Sequence, residues 1–197
     1  MTRCLRRPLS TMQGFTLVEL MVIVILVGIL SGISIVTFNR NWRDERVKAA
    51  TRETSAWLDE VRRIAIQKAI PCRIRIDQTN TTLELDPNPV NLSEFCASTL
   101  QAPLNLRAKI QNSGDLLLCS ADLDEADPAN YSLSCSTPQG GSSSLVFTPR
   151  GTITGGLLIK FHMQQVNTDR CIAVMAPLGQ IRSGRATSSG CDFTTAY

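Results

Sequence analysis

The sequence predicts an α+β fold in which one long N-terminal helix crosses a membrane and packs its C-terminal part on an antiparallel β-sheet head. Two observations carry this prediction. No proline occurs between Phe15 and Ile70, and the apolar residues of this stretch first run together and then recur at helical spacing. After Pro71 the pattern changes to short alternating segments separated by Gly and Pro. With 197 residues, 43% apolar and 19% charged, the chain has enough apolar residues for a packed core, which excludes a disordered polyelectrolyte.

The N-terminal segment has the charge pattern of a membrane-inserted helix. Arg3, Arg6 and Arg7 precede a stretch from Leu20 to Phe38 that contains no charged residue. This stretch is too long for the apolar part of a signal peptide and fits a membrane span of about 20 residues, and no Ala-x-Ala cleavage site follows it. The three arginines predict a cytoplasmic N-terminus. They also account for the formal net charge of +3, so the rest of the chain gives no global basis for nucleic-acid binding.

One acidic residue lies at the edge of the apolar stretch. Glu19 ends the string Gly14-Phe15-Thr16-Leu17-Val18-Glu19. A carboxylate in this position costs several kcal/mol unless it is paired, so it marks a candidate functional site. The alternative interpretation is an ordinary signal anchor with an incidental Glu near its end.

This string, with the basic residues before it and the apolar helix after it, resembles the processing site of type IV prepilins. The resemblance implies that a prepilin peptidase cleaves between Gly14 and Phe15 and that the new amine of Phe15 is methylated. It also implies that Glu19, then the fifth residue, pairs with the amine of a neighbouring subunit in a filament. Such a pair is strong in apolar surroundings and fixes the axial register.

The predicted helix continues beyond the apolar stretch as an amphipathic helix and ends before Pro71. The sequence therefore divides into a basic leader at 1–14, a transmembrane and assembly helix at 15–38, an amphipathic continuation at 39–70 and a β-rich head at 71–197. The apolar stripe of the continuation recurs every three or four residues and contains Val47, Ala50, Trp57, Leu58, Val61, Ile64 and Ala65.

The head is predicted to begin with a β-hairpin, because Arg73–Asp77 and Thr81–Leu85 alternate on either side of a polar turn. Turns are expected at Gly140-Gly141, 149–151 and 177–179, and the segment from Pro87 to Pro103 fits a loop or a short helix. The later candidate strands are Leu116–Cys119, Tyr131–Cys135, Ser144–Thr148, Leu157–Phe161, Arg170–Met175 and Gln180–Arg182.

The head contains six of the seven cysteines, since Cys4 lies in the leader. An even number of cysteines outside the cytoplasm predicts disulfides, and six cysteines allow 15 connectivities. Zinc is the competing interpretation, but the head has no Cys-x-x-Cys and its one histidine, His162, has no obvious partner in the sequence. We expect the sequential pairing, in which the bonds are Cys72–Cys96, Cys119–Cys135 and Cys171–Cys191.

Neither a metal site nor catalytic machinery is predicted. The carboxylates of Asp122, Asp124, Glu125 and Asp127 lack the spacing and the central glycine of an EF-hand and are interpreted as a solvated acidic loop. The segment 140–144 is glycine-rich but lacks the Lys-Ser/Thr ending of a phosphate-binding loop. No nucleophile, base or acid–base pair of carboxylates is apparent. The sequence therefore predicts a protein that is not an enzyme and needs no cofactor.

The last third of the chain carries a second and more specific resemblance. The segments 145–151, 170–174 and 179–185 resemble the C-terminal half of the GspH/FimT family of minor pilins and pseudopilins, whereas the acidic middle of the chain carries no such resemblance. The resemblance implies a pilin fold and a subunit of a type II secretion pseudopilus or a type IV pilus. It implies other pilin subunits, the prepilin peptidase and the inner-membrane assembly machinery as partners. It also implies a single-pass inner-membrane precursor with a periplasmic head, which then enters an extracytoplasmic filament.

Two alternative functions remain open. Some FimT proteins take up DNA through a Gly-Arg-x-Arg motif, which here reads Gly-Gln-Ile-Arg, so that only Arg182 carries over. Arg185 is a candidate substitute outside the motif. The segment from Arg150 to Arg185 has a local charge of +4, because it contains five basic residues and one acid, Asp169. The basic residues are Arg150, Lys160, Arg170, Arg182 and Arg185. Arg150, Arg182 and Arg185 are therefore candidate DNA contacts, which would bind phosphates in a salt-sensitive way. The other alternative is a membrane-anchored binding protein that does not polymerise and does not need Glu19.

Overall fold

The computed structural model describes residues 14–86, 96, 101–110, 115–123, 128–135, 141–166, 168–188 and 190–194, without the side chains of 32–40. It divides into two units, Met1–Asn39 and Arg40–Tyr197. Several predictions of the sequence lie outside the described residues: most of the leader, the acids Asp124, Glu125 and Asp127, Gly140, and most of the segment from Pro87 to Pro103.

The first helix, α1, extends from Leu17 to Lys68. Its start is capped by Thr16, whose side-chain oxygen accepts the backbone N–H of Glu19 at 3.2 Å. Its end lies two residues before the predicted one, because Ala69 adopts a positive φ of 55° and the N–H of Ile70 donates to the carbonyl of Ala65 at 3.2 Å. This is a Schellman ending, in which backbone groups of the last turn satisfy each other before Pro71 is reached.

The predicted apolar stripe forms the helical part of the main core. Val47, Leu58 and Val61 are fully buried, and Trp57 donates its indole N–H to the carbonyl of Ala102 at 2.8 Å. Of the predicted stripe, only Ile64 is partly exposed. The stripe also includes two buried polar residues that the apolar pattern does not reveal, Thr51 and Thr54.

The other described elements are mostly short strands. Each predicted strand overlaps an observed one except Tyr131–Cys135, which is not a strand. In chain order the elements are β1 (Cys72–Asp77), β2 (Thr82–Leu85), β3 (Leu104–Asn105), α2 (Leu106–Lys109), β4 (Leu116–Leu123), β5 (Ser142–Phe147), β6 (Gly156–Met163), β7 (Arg170–Met175), β8 (Gln180–Ala186) and β9 (Cys191–Asp192).

The strands form two antiparallel sheets, with the orders β3-β2-β1-β5 and β4-β6-β7-β8-β9. The α+β class is therefore confirmed, but the prediction of one sheet is wrong. A polar bridge joins the sheets where β1, β4 and β5 meet. The Gln78 amide donates to the carbonyl and the hydroxyl of Ser120 at 3.1 and 3.0 Å, and the Ser120 hydroxyl donates to Ser143 at 2.9 Å. These bonds satisfy groups that are buried between the sheets.

The central strands of the five-stranded sheet, β6 and β7, are mostly buried on both faces. One face joins α1 and the smaller sheet in the main core through residues such as Phe161 and Ile172. The opposite face carries a second, smaller core made of Leu123, Leu158, Cys171, Ala173 and Cys191. The continuous apolar run of β7 reflects this double burial. The segment 131–135 packs Tyr131 and Leu133 against the second core, so its alternating residues cover a sheet instead of joining one.

The six cysteines of the head form the three disulfides of the predicted sequential pairing, Cys72–Cys96, Cys119–Cys135 and Cys171–Cys191. The sulfur of Cys72 belongs to the main core, whereas Cys171 and Cys191 belong to the second core. Within the described part of the chain, no group of three or more His, Cys, Asp or Glu side chains is arranged to hold a metal ion.

Candidate assembly site and the arginines of the head

The first turns of α1 carry apolar side chains that are exposed to solvent. Every large apolar residue from Phe15 to Leu30 is exposed, and Ile23, the least exposed of them, retains 47% of its accessible surface. An exposed apolar surface of this extent is typical of an interface with a lipid or a protein. Across the residues that the structure covers, no helix combines the length and the apolarity needed to cross a membrane.

Glu19 is exposed, and its carboxylate makes no hydrogen bond or ion pair with any described residue. Its backbone N–H is satisfied by Thr16, which makes Glu19 the third residue of the helix. The pair Thr16 and Glu19 matches the Ser/Thr-x-x-Glu spacing of a capping box, a signal that the sequence analysis missed. An acid in the first turn also complements the helix dipole, so this position favours the helix even without a partner.

The predicted cleavage site lies outside the helix. Gly14 and Phe15 precede α1, both are exposed, and no atom lies within 4 Å of the position that a Cβ at Gly14 would occupy. The peptide bond between them is therefore non-helical and exposed, as a peptidase requires of its substrate.

The two candidate arginines of β8 lie on opposite faces of the sheet. Arg182 is exposed and lies across from Ala173, on the face of the second core. Arg185 is partly buried and lies across from Arg170, on the face of the main core. Because successive side chains in a strand alternate, residues three apart cannot share a face. The structure therefore does not bring the predicted DNA contacts Arg182 and Arg185 together.

Arg150 lies in the turn that follows β5, next to the turn that precedes β8. A Cβ at Gly179 would approach the carbonyl oxygen of Gly151 to 2.6 Å, and both glycines have a positive φ, 63° and 73°. Arg62 of α1 fastens both turns: its Nε donates to the Gly151 carbonyl at 3.0 Å and its Nη2 to the Leu178 carbonyl at 2.9 Å. This role of Arg62 has no signal in the sequence, because its two acceptors are backbone atoms 89 and 116 residues away.

The local charge of +4 expected near Arg182 is not fully available at the surface. The pairing of Lys160 with Asp169 at 3.2 Å is already counted in this net charge, but Arg170 retains only 3% of its accessible surface. This part of the prediction is wrong because the sequence counted the charges without knowing which face each strand residue occupies.

His162 has a partner, contrary to the prediction. Its Nδ1 lies 2.8 Å from the Oδ1 atom of Asp169, which reaches it across the turn between β6 and β7. Asp169 thus contacts both Lys160 and His162. Among the described residues, no hydroxyl or thiol is hydrogen-bonded to His162, so the pair lacks the nucleophile of a catalytic triad.

No protein-family model matches the chain, and no curated protein matches it. Among solved structures, the chain is similar to the type IV minor pilin FimU of Pseudomonas aeruginosa. The identity is 16%, the TM-score is 0.44, and the match covers 76% of this chain and 94% of that chain. At this identity and TM-score we draw neither family nor function from the likeness.

Proposed function

We propose that the chain is a minor pilin or pseudopilin subunit, which assembles through its N-terminal helix into a type IV pilus or a type II secretion pseudopilus. The observation that carries the proposal is the carboxylate of Glu19, which pairs with no described residue and lies among the exposed apolar residues at the start of α1. Exposed apolar residues need a lipid or protein partner, and the carboxylate among them needs a cation.

The chemistry of the proposed processing supplies that cation. Cleavage after Gly14 leaves a charged amine on Phe15, four residues before Glu19. Phe15 lies directly before α1 and Glu19 lies in its first turn, so a small axial offset between two parallel subunits would bring the Glu19 of one to the Phe15 amine of the next. A methylated amine is still a base and remains positively charged at neutral pH. Pairing in apolar surroundings then favours one axial register over its neighbours.

The partners and the location follow from the same proposal. The prepilin peptidase removes the leader, other pilin subunits pack against α1, and the inner-membrane assembly machinery extracts the subunit from the bilayer. The precursor is a single-pass inner-membrane protein with its head in the periplasm. The role is structural and not enzymatic.

The test is the incorporation of Glu19→Ala into filaments. We expect the variant to be processed and inserted into the membrane normally but to be depleted at least about tenfold from the sheared filament fraction, since pairing an otherwise unpaired charge supplies more than about 1.4 kcal/mol. Glu45→Ala, which changes an exposed acid further along the same helix, is the matched control and should assemble normally. Normal incorporation of Glu19→Ala would instead support a membrane-anchored binding protein that does not polymerise.

One observation favours DNA binding as a second function. Arg150 and Arg182 are exposed, and neither side chain forms an ion pair with a described residue. Two phosphate contacts predict sequence-independent binding whose logarithmic salt dependence has a slope of about −2. Fluorescence anisotropy of the full chain in detergent with labelled duplex DNA should therefore show weak binding at low salt. Arg150→Ala/Arg182→Ala should abolish it, whereas Arg185→Ala, on the other face, should not; equal loss in both would argue against this surface.

A further inference from the structure

Two arginines are neighbours on the face of the five-stranded sheet that packs on the main core. Arg170 of β7 and Arg185 of β8 are register partners in an antiparallel pair, so their side chains leave the sheet on the same face. Arg170 retains only 3% of its accessible surface, whereas Arg185 is partly exposed. The pair is therefore a buried cation next to a second cation that solvent can reach.

Neither guanidinium has a protein partner among the described residues. No hydrogen bond or ion pair involves either side chain, and the Nε atom of each is buried without an acceptor. A buried charge without a partner costs several kcal/mol, and an adjacent like charge adds to that cost. Buried N–H donors are otherwise almost always satisfied. The two side chains thus present buried donors without an acceptor, and positive charge without a direct ion pair, at one place.

The nearby carboxylates are engaged elsewhere. Asp44 of α1 pairs with Lys48 at 2.8 Å and accepts the Thr168 hydroxyl at 3.3 Å. Burial raises the pKa of Asp44, but the hydrogen bond and charge of Lys48, together with the charge of Arg170 and the Thr168 hydroxyl, lower it overall. Asp44 thus stays ionised and acts on Arg170 from beyond ion-pair distance.

The other two acids near the arginines also have bonds of their own. Asp192, the register partner of Arg185, accepts the backbone N–H and the hydroxyl of Thr194 at 2.9 and 2.7 Å. Asp169, although adjacent to Arg170 in sequence, contacts His162 and Lys160. None of these three acids forms a direct ion pair with either guanidinium, and Asp44 acts on Arg170 only through its field.

We propose that Arg170 and Arg185 form a binding site for a small oxyanion such as inorganic phosphate or sulfate. Each guanidinium offers a planar fork of N–H donors that matches the oxygens of such an anion, and a charge-assisted bond to an oxyanion is stronger than one to a neutral acceptor. A bound oxyanion accepts from the unsatisfied Nε atoms and neutralises the pair. The partial exposure of Arg185 gives the anion a way in from solvent.

The experiment measures the thermal midpoint of the full chain in detergent micelles, with phosphate replacing chloride at constant ionic strength. At a phosphate concentration of about ten times Kd, a ligand that binds only the native state raises the midpoint by about 3–6 °C for a chain of this size. Because phosphate also stabilises proteins by exclusion from their surfaces, the variants carry the test. Arg185→Gln should lose the phosphate-specific rise. Arg182→Gln, the same change on the opposite face of the same strand, should retain it.

A third variant is expected to strengthen phosphate binding instead of weakening it. Asp44→Asn removes the carboxylate whose field competes with the anion, so its phosphate affinity should rise by about two- to fivefold. This variant and the wild type decide the question even if Arg185→Gln does not fold. The proposal is overturned if the wild type shows no phosphate-specific rise, if Arg185→Gln retains the rise, if Arg182→Gln loses it, or if Asp44→Asn leaves the affinity unchanged.

Discussion

Apolar residues are arranged in two different ways along α1. Between Phe15 and Leu30 they occur all around the helix and are exposed, whereas between Val47 and Ala65 they form one stripe that is buried in the main core. The stripe is buried against the sheets of the same chain. The apolar residues that surround the first part of the helix are not buried by this chain's described residues, so they require lipid or another protein as a partner. The same helix therefore serves as an internal packing element in one part and as a surface for partners in the other.

The two parts of α1 should differ most in how much the free energy of unfolding falls when a leucine is replaced by alanine. Leu58→Ala should lower the free energy of unfolding by about 3–5 kcal/mol, because Leu58 is fully buried in the main core. Leu26→Ala should change it by less than about 0.5 kcal/mol, because Leu26 is 55% exposed. Denaturant unfolding of the full chain in detergent, followed by near-ultraviolet circular dichroism, measures both. Equal effects of the two substitutions would contradict the comparison.

The head is further distinguished from the helix by its covalent bonds. Replacing Cys171 and Cys191 by serine should cost about 3 kcal/mol, since the bond closes a loop of about 20 residues and holds β9 against the second core. The difference between the thermal midpoints of the variant and the wild type, both measured without reductant, gives the effect of this bond alone. If the variant unfolds at the same temperature as the oxidised wild type, β9 does not contribute to the stability of the head.

A smaller effect is expected where the buried part of α1 meets the turns of the head. Arg62→Met retains most of the apolar stem of the side chain but removes its hydrogen bonds to the carbonyls of Gly151 and Leu178, at an expected cost of about 1–3 kcal/mol. Arg63→Met, at the exposed neighbouring position, is the control and should be nearly neutral. Amide hydrogen exchange of residues 149–153 and 176–179 should accelerate in the first variant only. Unchanged exchange there would mean that the turns are held by their own backbone.

The smallest expected effect is a change of pH dependence at the turn between β1 and β2. Hydrogen bonds from Asn80, with one from the backbone of Thr79, lower the pKa of Asp77 below its ordinary value of 3.8. The folded state therefore binds fewer protons than the unfolded state near this pH. The stabilisation by the ionised Asp77 is complete above 3.8 and is lost as the pH falls through the lower folded value.

Urea unfolding at a series of pH values between 6 and 3 measures this effect. Asp77→Asn should flatten the fall in stability on the acid side, whereas Asp59→Asn on α1, which has none of these turn contacts, should not. An unchanged slope in Asp77→Asn would mean that other acids control the acid sensitivity.

The sequence predicted those features that depend on local periodicity. The apolar stripe of α1 recurs at the spacing of a helix, and the hairpin after Pro71 alternates at the spacing of strands. The end of α1 was missed by two residues because a Schellman ending requires a positive φ, and Ala69 gives no glycine signal for it.

What the sequence could not predict depends on which elements meet. The alternation of Tyr131–Cys135 is real, but these residues cover the second core, and nothing in the pattern distinguishes a covering segment from a strand. The division into two sheets and the contact between His162 and Asp169 are also tertiary. The opposite faces of Arg182 and Arg185, in contrast, follow from strand periodicity and could have been predicted once β8 was extended beyond Arg182.

The sequential disulfides have a consequence for the order of folding. The six cysteines of the head pair in chain order, the first with the second, the third with the fourth and the fifth with the sixth, across separations of 24, 16 and 20 residues. When a chain emerges from a translocation channel with its N-terminal part first, the partner available to each unpaired thiol is then the native one. The three loops neither overlap nor enclose one another, so each can close before the next pair has emerged. This connectivity therefore requires no step in which wrong pairs are exchanged, provided that each pair is oxidised as it emerges.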